Sequence, residues 1–558
     1  MKQIVSRPLD FLSPSGISRL VLYTLVRLVY RIHSKGTKNF PATGGALLIS
    51  NHISYVDAFL LQVASPRYLH FVASEHFLKK WWLGWAMRAM GVVPISSTRP
   101  KRALQAVIQK LKEGEVVCIF PEGTLTRTGN LQGFQKGFEV MARQAGVPVV
   151  PAAIDGIWGS VFSHSTVKLL QKRPLPYGRR IRVSFGAVLQ GADIERRGAW
   201  QATLDLLHHS FSEREELTGH IGRAAIKALG GAPWRKQIID INPERHALSR
   251  GALLALAITL ARRWRRTMPE KRVGVILPPG LGSTVANLAI ALLDKSAVNL
   301  NFNLGGESVE LCCRQAELET ILSSEAMRKR FERAPLPENT IDLLQEIRTC
   351  GKRERFLWFL AVWLLPPSML NRLLGIPKHG DRNEAAVLFT HCSADKARGV
   401  ILTHRNILAN IIQISETAIL RPADTLVGNP DVFHSFGFTM ALWYPLLKPA
   451  PMVTLPLPVR TQATVRAIRN EKANILIATP PFLRACLEEA SPEDLRPLRL
   501  IFAGTEKLPA DLGKSLQETF NVPVMEGYGL AETTGVAALS IPDPDGRDRD
   551  TEKAKKGL

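Results

Sequence analysis

Short apolar runs alternate along the chain with stretches whose apolar residues recur every three or four positions. Ala46–Ser50, His70–Ser74, Val116–Phe120, Val147–Ile154 and Arg180–Ala187 are compact apolar runs and predict strands. Arg99–Gly114 and Phe134–Gly146 have the spacing of amphipathic helices. Strands and helices in alternation predict an α/β layout. A second α/β pattern begins near Ala247. Gly274–Gly280, Ala385–His391, Met452–Pro458, Asn474–Phe482 and Leu498–Leu508 are its strand candidates, with helical patterns between them. The stretch joining the two patterns is polar and broken by Gly230-Gly231-Ala232-Pro233, so residues 216–246 read as a linker.

Composition adds two constraints. At 558 residues with 46% hydrophobic content, the chain can bury at least two cores. Its net charge of +23 calls for a polyanionic partner. No nucleic-acid module is visible, so an anionic membrane surface is the expected partner and no nucleic acid is expected. Residues 16–33 form a basic amphipathic pattern interrupted by Arg19, Arg27 and Arg31, suited to lying on a membrane rather than crossing it. Phe356–Leu365 is apolar, holds Trp358 and Trp363, and is flanked by Lys352, Arg353, Arg355 and Arg372, which suits shallow insertion. The six cysteines form neither a metal-binding spacing nor a secreted disulfide framework, which fits a reducing cytosol; no metal site is expected.

The candidate chemistry lies where two of the apolar runs end. Leu47–Asp57 reads LLISNHISYVD and Cys118–Gly123 reads CIFPEG. A histidine with a carboxylate five positions on supplies a base of near-neutral pKa and a group to orient it. With an alcohol as the attacking group, no serine or cysteine nucleophile is needed. A strand ending at His52 and a helix opening near Ser54 would carry Asp57 back to the imidazole.

Together these boxes resemble the glycerolipid acyltransferase family, which pairs a His-x-x-x-x-Asp box with a Phe-Pro-Glu-Gly box. The resemblance implies that His52 is the base and Asp57 its orienting partner, and that Glu122, Gly123 and Thr124 shape the acceptor site. The family's arginine after this core is absent, since Leu125 stands there, and Arg127 and Lys136 are the cations that could hold an acceptor's phosphate. Gly91–Ser97 and Val147–Gly156, the latter with Pro151, resemble two further family boxes. The departures point away from plain lysophosphatidic acid as acceptor.

The second half resembles the AMP-forming adenylating superfamily, in Arg398–Asn410, Val432–Leu447, Ala503–Leu508 and Glu526–Gly535. By resemblance, Thr390, Ser393, Arg398, Gly399, Tyr528 and Glu532 occupy ATP-site positions. The phosphate loop is altered: Cys392 and Asp395 replace glycines, Ala397 a proline and Arg398 a lysine. Ala531 replaces a hydroxyl residue, and neither the ribose-holding aspartate nor the family's C-terminal lid is found. The expected organisation is a membrane-associating segment at 1–40, an acyltransferase domain at 41–215, the linker, a degenerate adenylation domain at 247–540 and a disordered tail at 541–558.

The order of the halves resembles bacterial bifunctional enzymes joining an acyl-ACP synthetase to a 2-acylglycerophosphoethanolamine acyltransferase. That implies transfer of a fatty acyl group from acyl carrier protein or acyl-CoA to a lysophospholipid hydroxyl, at the cytoplasmic face of a bacterial inner membrane. Acyl transfer would need no cofactor; ATP and Mg would be needed only by an active adenylation half. The alternatives are an ATP-dependent acyl-ACP or acyl-CoA synthetase, a 1-acylglycerol-3-phosphate acyltransferase, and a non-catalytic membrane adaptor.

Overall fold

The computed structural model of the chain describes residues 23–74, 92–95, 100–160, 162–163, 178–241, 244–332, 336–392, 396–417, 419–428, 430–455 and 458–540. The chain divides into two compact units, Met1–Arg214 with Glu416–Ala418, and Glu215–Ser415 with Ile419–Leu558. Both are α/β, as the alternating pattern predicts.

In the first unit the described strands are β1 (Tyr30–Lys35), β2 (Ala46–Ser50), β3 (Leu69–Ser74), β4 (Val93–Ile95), β5 (Val116–Ile119), β6 (Val149–Asp155) and β7 (Arg179–Phe185). They form one sheet in the order β1-β7-β6-β2-β5-β3-β4. Neighbours run parallel except for the antiparallel pair β6 and β7. The helices used below are α1 (Asp57–Ala64), α2 (Pro100–Lys112) and α3 (Gly137–Ala145).

The central strands β2, β5 and β6 are buried at every position because both faces of the sheet are covered. Leu48, Cys118 and Val150 point to one side and pack with Leu60 and Leu61 of α1. Their neighbours Leu47, Ile49, Val117, Ile119 and Val149 point to the other, against Val107 and Leu111 of α2 and Phe138 and Met141 of α3. Beyond the end of β2, Asn51 is buried and locks the chain to β6. Its Nδ2 donates to Ile154 O at 3.0 Å, and its Oδ1 accepts from Ile154 N at 2.8 Å.

The second unit holds two sheets. The order across one is Asn339–Asp342, Thr320–Ser323, Arg272–Val275, Ser296–Asn299, Glu384–Cys392 and Ala397–Thr403. Across the other it is Ala538–Leu539, Val524–Tyr528, Leu500–Ala503, Ile475–Ala478, Leu426–Val427, Met452–Thr454, Lys236–Asp240 and His246–Ser249.

Three expectations are corrected. Residues 216–246 are not a linker: Ile221–Gly230 is a helix, and Lys236–Asp240 is a strand beside Met452–Thr454. The Gly-Gly-Ala-Pro break only separates that helix from that strand, whose Gln237, Ile238 and Ile239 are buried. The basic amphipathic pattern at 16–33 does not continue as one helix. The chain is helical over 23–29, and Tyr30–Lys35 pairs with β7, because burying Tyr30 in the sheet outweighs the helical spacing. Cys312 is disulfide-bonded, contrary to the expected reduced thiols, while Cys118, Cys313, Cys350 and Cys486 are free and buried. The tail at 541–558, residues 1–22 and, from the Gly91–Ser97 box, Gly91, Ser96 and Ser97 lie outside the described residues.

Replacing Asn51 by Ala removes both bonds to Ile154 and strands that residue's peptide groups in the interior. The expected loss of stability is about 1–3 kcal/mol, read from denaturant unfolding of the first unit. An unchanged midpoint would show that this lock contributes nothing.

Candidate active site

β2 and β5 are parallel neighbours, so their C-terminal ends open on the same edge of the sheet. In open α/β sheets this is the edge where ligands bind. β2 delivers Asn51 and His52 there, and β5 delivers Phe120, Pro121 and Glu122. Residues far apart in sequence therefore meet because of strand order alone.

The link between His52 and Asp57 is direct: Nδ1 lies 2.9 Å from Asp57 Oδ2. The strand ends at Ser50 and the helix opens at Asp57 itself, a shorter strand and a later helix than the sequence suggests. The intervening loop is wound around the carboxylate. Ile53 N–H donates to Oδ2 at 2.7 Å, Ser54 N–H donates to it at 2.8 Å, and Ser54 Oγ donates to Oδ1. Asp57 is fully buried, whereas the His52 side chain keeps 23% of its surface exposed. Nδ1 is committed to the carboxylate, which leaves Nε2 to exchange a proton with a substrate.

Glu122 fixes the same histidine through the backbone. Its Oε1 accepts His52 N–H at 2.7 Å and its Oε2 accepts Gln132 N–H at 2.8 Å. Burial pushes its carboxyl up to about 7, against the pull of those two donors. The Phe120 ring stacks on the imidazole, with centroids 4.0 Å apart and planes 13° from parallel. Thr126 N–H donates to His52 O at 2.9 Å, and Gln135 N–H to Pro121 O at 2.7 Å.

Gly123 adopts φ +76°, a left-handed turn that a side chain would strain. Its N–H is spent on Phe120 O at 3.0 Å. Thr124 is exposed on this turn, with Oγ1 3.4 Å from Gln132 Oε1. Arg127 is half-buried on the loop that follows Thr126, and Lys136 is exposed at the start of α3.

The structure thus gathers His52, Asp57 and Glu122 in one hydrogen-bonded group and hangs Thr124, Arg127 and Lys136 on the adjoining loop. Asn51, Ser54 and Phe120 also serve this group and carry no motif of their own. Each stands beside a motif residue, and the signal was adjacency alone.

In the second unit, Thr390 Oγ1 lies 3.3 Å from Arg398 O across the hairpin made by Glu384–Cys392 and Ala397–Thr403. The turn Ala531–Thr533, with exposed Glu532, packs on both of these strands, and Tyr528 is exposed. Ser393 lies outside the described residues. A cradle for a triphosphate needs bare backbone facing the ligand. At Gly399 an added Cβ would instead meet the Phe389 and Val387 side chains at 3.2 Å, so this glycine serves strand packing.

His220, Asp294 and His404 also cluster, with ligand-type atoms within 4.8 Å of one another. Gly222 N–H donates to His220 Nδ1 at 3.1 Å and Ile221 N–H donates to His404 Nδ1 at 3.3 Å. Both Nε2 atoms therefore carry hydrogen toward Asp294 Oδ1, at 2.9 and 3.9 Å. The two backbone donors tie both imidazoles to the start of the helix at Ile221.

Comparison with known proteins agrees with this division. The Acyltransferase family model matches residues 31–155, and the AMP-binding enzyme model matches residues 232–556. The first unit resembles the chloroplastic 1-acyl-sn-glycerol-3-phosphate acyltransferase LPAT1 of Arabidopsis thaliana, 32% identical over 157 residues, 26% of this chain and 44% of that protein. It also resembles the 1-acyl-sn-glycerol-3-phosphate acyltransferase of Bacillus subtilis, 30% identical over 25% of this chain and 70% of that protein. The second unit resembles the medium-chain fatty-acid–CoA ligase of Escherichia coli, 28% identical over 55% of this chain and 62% of that protein. The chain thus spans less than half of the plant relative and under two thirds of the ligase.

Among solved structures, the inhibitor-bound N-terminal domain of FACL13 from Mycobacterium tuberculosis shares the fold, with TM-score 0.51 and 17% identity. The likeness covers 60% of this chain and 80% of that one. Since the AMP-binding match takes in more than half of the chain, the protein belongs to the AMP-binding enzyme family and carries an acyltransferase domain ahead of that module.

Proposed function

We propose that the first unit transfers a fatty acyl group from a thioester, on acyl carrier protein or coenzyme A, to the free hydroxyl of a lysophospholipid. The acceptor we favour is of the 2-acylglycerophosphoethanolamine type, taken up at the cytoplasmic face of a bacterial inner membrane. The observation that carries the reading is the 2.9 Å bond from His52 Nδ1 to the fully buried Asp57. His52 Nε2 takes the proton of the attacking hydroxyl as the oxygen bonds to the thioester carbon. The tetrahedral intermediate collapses with loss of the thiolate, and His52 returns the proton to the sulfur. Asp57 stabilises the imidazolium between these steps. Glu122 holds the histidine's backbone, Gly123 and Thr124 border the acceptor, and Arg127 and Lys136 supply positive charge for its phosphate.

One observation favours a second acceptor. The acyltransferases similar to the first unit are named for 1-acyl-sn-glycerol-3-phosphate. Lysophosphatidylethanolamine and lysophosphatidic acid are therefore offered side by side, with a preloaded acyl thioester and no ATP. Turnover with the first acceptor, lost about 10²–10⁴-fold in His52→Ala, supports the reading. Turnover that survives the substitution contradicts it, and turnover with lysophosphatidic acid alone reassigns the acceptor.

We further propose that the adenylation half has lost ligase activity, leaving a role in donor docking. Asp395 in the phosphate loop would set a carboxylate against the triphosphate. ATP–pyrophosphate exchange with fatty acid and Mg is expected to stay at background, and exchange at rates typical of a ligase would overturn this.

Glu122 gives a pH test independent of substrate. Its folded pKa of about 7 exceeds the ordinary 4.5. Between those values the folded chain holds more protons than the unfolded one, so stability from this group is full below the lower value and lost as pH rises through the upper. The unfolding midpoint of wild type minus that of Glu122→Gln should therefore fall as pH is raised through that window. A difference that stays flat would contradict burial of an ionisable Glu122.

A further inference from the structure

The helix Lys352–Leu364 belongs to neither set of candidate site residues, yet it has the most apolar exposed face among the described residues. One side of it is anchored. Val362 is buried, the Phe359 ring lies 3.3 Å from where a Cβ at Gly251 of the helix Arg250–Thr267 would sit, and Arg262 of that helix lies over the Trp358 ring at 5.2 Å. The other side bears Phe356, Leu360 and Leu364 at successive intervals of four, with Leu357 and Trp363 beside them. Phe356 and Leu357 are each 63% exposed and Leu364 is 70% exposed. Met369 and Leu373, on the helix Pro367–Leu373, extend the patch. Trp234 joins it from another segment, its ring centroid 5.7 Å from that of Trp363.

Cations edge this surface. Lys352, Arg353 and Arg372 are exposed, as are Arg235 and Lys236 next to Trp234. The acid on the same helix, Glu354, faces Arg262 at 3.8 Å. Apolar side chains with tryptophans among them, rimmed by positive charge, match the boundary between acyl chains and anionic headgroups. The helix has 13 residues, about 20 Å of length, against the roughly 30 Å of a hydrocarbon core. No helix among the described residues is long and apolar enough to cross a membrane.

We infer that this face of the second unit, Phe356, Leu357, Leu360, Trp363 and Leu364 with Trp234, docks in the plane of an anionic lipid leaflet. The inference rests on the proposed membrane-surface reading and names the surface that serves it. It takes the bilayer as occupant because the rim is cationic and the chain carries +23 net charge, complementary to anionic lipid.

The test uses the full chain and sedimentation with vesicles of phosphatidylcholine containing 30% phosphatidylglycerol. Wild type is expected to partition at least tenfold more strongly than Leu360→Glu/Leu364→Glu. Brominated acyl chains should quench its fluorescence, and Trp234→Phe/Trp363→Phe should lose that quenching. Thermal unfolding of each variant checks its fold, and acyl transfer to micellar lysophospholipid should stay unchanged, separating docking from catalysis. Equal partitioning of wild type and the Glu variant would overturn the inference, as would equal binding to pure phosphatidylcholine. Loss of self-association or of carrier-protein binding in that variant, with vesicle binding retained, would assign the face to a protein partner and overturn it too.

Discussion

The first unit depends on one buried carboxylate. A charge removed from water is tolerated only when donors surround it, and Asp57 has four, from Ile53 N, Ser54 N, Ser54 Oγ and the imidazole. The three contributed by the loop fix its path between β2 and α1 without secondary structure. With that path fixed, the imidazole has one available orientation. The same interaction closes the loop, starts the helix and sets the histidine's tautomer.

Strand order supplies the rest. Because β5 lies beside β2, the Phe-Pro-Glu-Gly turn arrives next to His52, and Glu122 bridges its backbone to that of Gln132. Phe120 closes the face of the ring. The histidine is thus held by its side chain, its amide, its carbonyl and its ring face. Such restraint suits a proton-transfer group, whose efficiency rests on a geometry already in place before substrate arrives.

The parts legible in the sequence are those in which one local signal dominates. The central strands of the first unit are runs buried on both faces, and five of its strands are readable to within a few residues. The pairing of His52 with Asp57 follows from a fixed spacing after such a run. Two other features mislead. In 216–246 the Gly-Gly-Ala-Pro break outweighs the short buried run Gln237–Ile239, which forms a strand between Met452–Thr454, distant in sequence, and its near neighbour His246–Ser249. Tyr30–Lys35 carries helical spacing, and its pairing with β7 is likewise invisible locally. Ser54 and Asn51 look like ordinary loop polar residues until the groups they bond are known. The exposed face at Phe356–Leu364 is readable as a composition, but Trp234 joins it only in three dimensions.

The central claim is that Asp57 acts through His52. The most direct measurement is a double-mutant cycle on single-turnover acyl transfer, comparing wild type, His52→Ala, Asp57→Asn and the double variant. If the carboxylate serves only to hold and stabilise the imidazole, removing it after the histidine costs nothing further. The account predicts a double variant no slower than His52→Ala. Losses that multiply would show two independent contributions and contradict it.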